Sequence, residues 1–248
     1  MIKKIWVVLF CCIWFSLYSL GLPTNEKLIF DIKYGKISAG TATFNTLVTT
    51  FESQEVYRIF TTAQTNSFFD KVFKVRDNIE SISTIDSLYS LRFTKNLNEG
   101  TYRQHRIHRN YLEENYSVYL RFNHKENKFG DPVIIEIPSN TYDLLTAISK
   151  VRTINLEPGD VIPLNVTVDG KNYNALANIL RKEKIKTILG EKECFVVEPS
   201  LEGDAIFRQT GVIHVWITDD DQRIPVLLQS KVIFGHFRAI LTEVASHP

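Results

Sequence analysis

The sequence predicts an all-β chain, β-rich with one short helix, folded as a curved antiparallel sheet or an incompletely closed β-barrel. Three observations carry that expectation. Apolar and polar residues alternate with period 2 through most of the chain, and turn residues interrupt the alternation at short intervals. A single segment keeps helical spacing instead. Many short strands with so little helix imply a sheet that curls on itself rather than a layered α/β fold.

Leu28, Phe30, Ile32 and Tyr34 share one face of the first strand, with Asp31 and Lys33 on the other. Tyr57-Arg-Ile-Phe-Thr, Phe73-Lys-Val-Arg, Leu91-Arg-Phe-Thr and Tyr116 to Phe122 read the same way. So do Ile162 to Val168, Tyr173 to Ile179, Val212 to Ile217, Val226 to Val232 and Phe237 to Val244. Gly35, Asn98-Glu-Gly100, Gly130-Asp-Pro132, Pro158-Gly-Asp160, Asp169-Gly170, Gly190 and Asp219 to Asp221 supply the turns. The exception lies near residues 141–151, where Leu144, Leu145, Ile148 and Val151 fall at helical spacing and Ser139-Asn140 offers an N-cap. Its apolar stripe needs a sheet to bury it. Thr84 to Phe93 and Thr218 to Leu228 echo one another, each with an acidic turn between two strands.

The N-terminus follows another logic. Lys3 and Lys4 precede the apolar run Ile5 to Leu20, and Ser19-Leu20-Gly21 forms a small-residue exit. That order is a secretory signal peptide, 1–21, ahead of a single domain, 22–248. Interrupted by Ser16 and Ser19, the run is short against the roughly 20 residues needed to span a bilayer. Phe10 before Cys11 does not fit a lipidation site. Export to the periplasm, or to the outer-membrane-facing envelope of a bacterium, is the expected localisation, with no transmembrane segment in the mature chain.

Past Gly21 the chain holds 27 basic and 28 acidic side chains. Phosphate-binding surfaces need a clear cationic excess, so nucleic acid is not an expected partner. Cys194 is then the one cysteine left and has no disulfide partner. Within Glu193-Cys-Phe-Val-Val it reads as a small buried hydrophobe on a strand, because no His stands near it in a nucleophile pattern.

Several phrases resemble the bacterial exported family DUF3108, a domain of unknown function. They are Leu28-Ile-Phe-Asp-Ile-Lys-Tyr-Gly with Ala39-Gly-Thr-Ala, and Phe68-Phe-Asp-Lys-Val-Phe-Lys-Val-Arg-Asp with Glu80-Ser81. Asp169-Gly-Lys-Asn-Tyr and Thr187 to Pro199 follow, then Trp216-Ile-Thr-Asp-Asp with Arg223-Ile-Pro-Val and Ser230-Lys-Val. The resemblance runs from about Leu28 to Val244. It implies a periplasmic or surface-facing β-protein, similar to the lipoprotein-carrier folds of the envelope, and it supplies no catalytic residues.

Candidate chemistry is sparse. His105 and His108 are three apart, which on a strand sends them to opposite faces, and Arg103, Arg106 and Arg109 would repel a cation. No metal is expected, and no cofactor. The same basic strand suits an anionic headgroup or glycan, or else it is a solvated hairpin strand paired with acids such as Glu113 and Glu114. Phe68, Phe69 and Phe73 beside Lys71 and Lys74 suit a bilayer interface or a greasy ligand site, or else ordinary core at a strand entrance. Asp77 and Glu80 are a possible carboxylate pair, with cross-strand pairing of Asp77 to Arg76 or Arg92 as the structural alternative. P-loop, dinucleotide, nucleophile-elbow and HExxH motifs are absent.

The expectation is therefore a non-enzymatic exported envelope protein binding an apolar or amphipathic ligand, such as a lipid, on a curved sheet. The candidate ligand-binding residues are Phe68, Phe69, Phe73, Arg103, Arg106 and Arg109. The alternative is a structural or assembly adaptor that binds an envelope protein through strand edges, and a hydrolase is the more remote reading.

Overall fold

A computed structural model of the chain describes residues 21–201, 212–232 and 235–246. The expected signal segment lies outside these residues apart from Gly21. Sixteen strands form one sheet among them. The N-terminal run comprises β1 (Asn25–Tyr34), β2 (Ile37–Phe51), β3 (Gln54–Thr65), β4 (Arg76–Thr84), β5 (Ser90–Glu99), β6 (Tyr102–Tyr111) and β7 (Tyr116–Asn123). Short β8 (Lys128–Phe129), β9 (Val133–Glu136) and β10 (Thr141–Tyr142) lead to helix α1 (Leu144–Arg152). The C-terminal run is β11 (Val161–Val168), β12 (Lys171–Thr187), β13 (Gly190–Leu201), β14 (Val212–Thr218), β15 (Pro225–Val232) and β16 (Gly235–Ala245).

Neighbours in sequence pair antiparallel through each run, and β16 closes against β1, from Lys27–Ala245 to Tyr34–Phe237. The order is thus one continuous curved sheet with β1 near its middle. At its ends β9 pairs with β7 and β10 pairs parallel with β11. Among the described residues no ladder joins β9 to β10, so the sheet is an incompletely closed barrel.

Among the described residues, hairpin connections fall at one of two ends. The turns after β1, β3, β5, β7 and β11 lie together at what we term the upper end, where β16 also starts, and the alternate turns lie at the lower end. Helix α1 contacts β3 and β4 on one side and β10 and β11 on the other, which bridges the concave face across the gap. Leu145 and Val151 join Tyr57, Ile59, Phe93, Leu164, Ile179 and Phe195 in the main core. A second buried cluster holds Leu28, Phe30, Cys194, Val196, Trp216 and Leu241. The unbroken apolar run of β13 is explained by burial on both faces, with Phe195 and Val197 in one cluster and Cys194 and Val196 in the other.

The helix begins later than its spacing predicts. Asp143, not Ser139 or Asn140, is the N-cap: its carboxylate accepts from Leu145 N at 2.8 Å and Thr146 N at 3.1 Å. The same carboxylate accepts from Ser81 Oγ at 2.5 Å and Ser90 Oγ at 2.6 Å, which no local pattern could announce. At the other helix end, Arg152 makes a fully buried two-pronged ion pair with Glu26, both contacts at 2.8 Å, and donates to the carbonyl of Arg223. Leu22 is buried in the core and its carbonyl accepts from Tyr57 Oη. The two echoing segments become matched hairpins, in which Thr84 Oγ1 accepts from Tyr89 N and Thr218 Oγ1 accepts from Ile224 N.

Candidate functional site

The upper end holds the strongest candidate. Residue burial falls steadily along the inward face of β1, from Leu28 (0 % exposed) and Phe30 (7 %) to Tyr34 (38 %). Where that face runs out of core, a cavity of about 380 Å³ opens, lined by Ile32, Tyr34, Phe69, Val72, Val75 and Phe237. Ala39, Gly40, Gln64, Thr65 and Phe73 complete its wall. Gly40 is required there: a Cβ would lie 2.1 Å from the Gln64 carbonyl oxygen of the neighbouring strand. The rings of Tyr34 and Phe237 meet at a tilt, centroids 5.1 Å apart, across the paired ends of β1 and β16.

The connection between β3 and β4 forms the outer wall. The sequence predicts a strand from Phe73, but β4 starts at Arg76, and Phe69–Lys71 form a single 3₁₀ turn. The reason is a polar knot. Asn66 Oδ1 accepts from Phe68 N and Phe69 N, while its Nδ2 donates to Ser38 O at 2.7 Å. Arg76 grips Asp70 with both guanidinium nitrogens, at 3.0 and 2.6 Å, and Thr65 Oγ1 donates to Asp70 at 2.5 Å. Those contacts, the arginine foremost, lower the Asp70 pKa. The knot holds Phe69, Val72 and Phe73 over the cavity, and Phe73 packs on Gly100 of the next hairpin, where no side chain would fit.

The six ligand residues expected from sequence are thus divided. Phe69 and Phe73 line the cavity, while Phe68 meets Phe69 edge-on at 5.4 Å and points outward. Arg103 lies beside them, donating to the carbonyls of Gly100 and Tyr102. Arg106 sits between Lys95 and Arg121 in register. Arg109 is at the lower end, paired with Glu52 at 2.5 Å rather than with Glu113 or Glu114. Of the basic strand, only Arg103 adjoins the aromatic wall. Ile32, Tyr34, Val75 and Phe237 are cavity residues that the sequence pattern presents as ordinary strand positions. The signal available was the inward alternation of β1 carried through to Tyr34.

A second polar cluster spans the gap between the two runs. His108 is buried, and its Nε2 accepts the backbone N–H of Gly170 at 3.0 Å, so Nδ1 carries the proton toward Ser117 Oγ. Burial pushes the His108 pKa down to about 4. Tyr119 stacks on the imidazole at 4.6 Å, and Lys95 reaches Asp169 at 2.5 Å. Gly170 has φ +81, and a Cβ there would strike Tyr119. This cluster staples the β11–β12 turn onto β5–β7. His105 lies on the opposite face against Phe122 and Phe129, as odd spacing on a strand requires.

Other candidates resolve as structure. Glu80 is held by Arg58 and Arg92, so it does not meet Asp77. The acid facing Asp77 is Glu99, whose pKa is raised by burial and then by that neighbour. Asp70, not Asp77, takes Arg76. Cys194 is wholly buried, and burial lifts its thiol pKa to about 11. Among the described residues no group of three or more His, Cys, Asp or Glu side chains could hold a metal, and no helix is long and apolar enough to cross a membrane.

A family profile described as "Protein of unknown function (DUF3108)" matches residues 29–242. Comparison with curated proteins finds no match. Among solved structures, the fold is similar to the crystal structure of a beta-barrel-like protein of domain of unknown function DUF1849 from Brucella abortus. The TM-score is 0.61 at 10 % identity, covering 92 % of this chain and 100 % of that chain, which is a likeness of fold alone.

Proposed function

The chain belongs to the DUF3108 family, and from that premise we propose that it is a non-enzymatic exported envelope protein that holds the apolar part of an amphipathic ligand at the upper end of its barrel. The observation that carries the reading is the apolar cavity beneath Phe69, Val72 and Phe73. Its volume of about 380 Å³ falls within the roughly 300–1,000 Å³ of small-molecule sites. Gln64 on the wall and the nearby Arg103 are the polar groups available to orient a headgroup. Apolar walls with a few polar groups at the opening match what an amphipathic ligand needs.

Native mass spectrometry of protein purified from its own envelope, followed by titration with a fluorescent fatty-acid probe, tests the reading. Saturable uptake that falls in Val75→Trp, which fills the cavity, and in Phe69→Ser, which unroofs it, is the expected result. Wild-type protein that takes up no probe, or a Val75→Trp variant that binds as wild type does, overturns it. Export is tested by N-terminal sequencing of secreted material, which should begin at or near Leu22.

One observation favours a second reading. Strand β9 is paired only with β7 among the described residues and exposes Val133 and Ile134 beside its free edge. An adaptor function would use that edge to add a strand from an envelope partner. Replacing Ile134 by Pro would then abolish partner capture while leaving probe uptake intact.

A further inference from the structure

We infer that the upper end of the barrel docks onto an anionic lipid bilayer, with the cavity mouth facing the membrane. The inference rests on the ligand reading only for its purpose. The docking surface is defined by different side chains.

A cluster of large apolar side chains stands in solvent around the cavity mouth. Ile37 is 59 % exposed, Phe68 66 % and Val72 77 %, with Phe73, Tyr102 and Phe237 beside them. They come from four separate connections brought together by the sheet: the start of β2, the β3–β4 connection, the start of β6 and the start of β16. An exposed apolar patch with cations at its margin has the composition of an interfacial membrane site.

Charge selects the partner. The carboxylates nearest the rim are withdrawn from it: Asp31 pairs with Lys33 and Ser38, Asp70 with Arg76 and Thr65, and Asp77 and Glu99 are half-buried facing one another, with Asp77 accepting from Asn98 N. Lys36, Lys71 and Lys74 are exposed and have no carboxylate partner among the described residues. Arg103 donates from Nη1 to two backbone carbonyls, which leaves its charge without a carboxylate partner among the described residues. The exposed charges of the rim connections, Lys36, Lys71, Lys74 and Arg103, are therefore positive, on a protein with 27 basic and 28 acidic residues after Gly21. A bilayer with anionic headgroups satisfies both halves of this surface, since lysines meet the headgroups while the apolar tips enter the interface.

The arrangement also suits transfer. Phe69 and Val72 belong to both the cavity wall and the rim connection, so a docked rim places the cavity opening against the lipid. An acyl chain could then enter without crossing water.

The test is co-sedimentation of the mature protein with phosphatidylcholine vesicles, with and without about 30 mol% phosphatidylglycerol, at low salt and at about 1 M salt. Wild type should bind the anionic vesicles and lose most of that binding in high salt. Lys36→Gln/Lys71→Gln/Lys74→Gln should bind roughly 100-fold more weakly, at about fivefold for each lysine near a charged surface. Ile37→Ser/Phe68→Ser should lose vesicle binding yet keep its melting temperature and its uptake of the fatty-acid probe, because neither residue lines the cavity. Wild type that binds anionic vesicles no better than neutral ones overturns the inference. Binding that persists undiminished in both folded multiple variants also overturns it, because the surface would then lie elsewhere. Loss of probe uptake in Val75→Trp with vesicle binding retained separates the two ideas.

Discussion

The two ends of this barrel treat the same residue types in opposite ways. At the lower end, the buried charges at the helix are spent: Arg152 is clasped by Glu26 and backbone carbonyls, and Asp143 accepts four hydrogen bonds. At the upper end, lysines stand unpaired and phenylalanines face solvent. The lower end is built as core. The upper end carries features that stability does not require, and side chains kept without a stabilising role are where function is sought.

The sharpest way to break the contrast is to unbalance the lower end. Arg152→Met leaves Glu26 buried without a partner and should cost about 3–5 kcal/mol, read from urea unfolding. Adding Glu26→Leu should recover much of that loss, because the buried pair itself adds little over an apolar match. A single variant as stable as wild type would remove the distinction between the ends.

Acid tests the staple between the two runs. His108 stays neutral in the fold down to about pH 4, whereas in the unfolded chain it protonates near 6.5. Between those values the unfolded state binds more protons, so stability is fully present above pH 6.5 and is lost as pH falls toward 4. The loss should approach about 3 kcal/mol, and His108→Gln should flatten that part of the pH profile. An unchanged profile in the variant would assign the acid sensitivity to other groups.

A smaller effect is expected at Cys194. Thiol labelling should be slow in the native protein and fast after unfolding, and Cys194→Ala should cost about 1–2 kcal/mol. Rapid native labelling would place an opening where a packed core now stands. Smallest of all, Phe68→Ser should change stability by under about 0.5 kcal/mol, as for a largely exposed side chain whose ring contact is the edge of Phe69. A core phenylalanine such as Phe93, cut to Ala, should cost about 3–5 kcal/mol. If Phe68→Ser proved equally costly, the upper aromatics would be structural and the docking surface would lose its warrant.

Much of the architecture was legible in the chain. Period-2 alternation gave most of the strands, Asp169-Gly170 does make a turn, and Gly190 follows the turn at 188–189 as the first residue of β13, with φ +90. Strand β2 is hard to read from the chain because Ile37 to Phe51 is rich in Thr and alternates weakly. Phe73 was read as strand because Phe-Lys-Val-Arg alternates locally, and the hydrogen bonds that turn the chain there come from Asn66, Asp70 and Thr65. The candidate site was legible only in part: the aromatic segment was conspicuous, but a basic strand of several residues cannot disclose that its arginines lie at opposite ends of a sheet.

The sequence by itself determined the fold class, the single helix, the inward face of β1 and the inert setting of Cys194, because each depends on local spacing and on which residues avoid water. Only the tertiary structure decided that Asp143 caps the helix while binding Ser81 and Ser90, that Arg152 finds Glu26, and that Tyr34, Val72 and Phe237 surround one cavity. Those contacts join residues far apart along the chain. Their geometry follows from the curvature of the sheet, which no local pattern encodes.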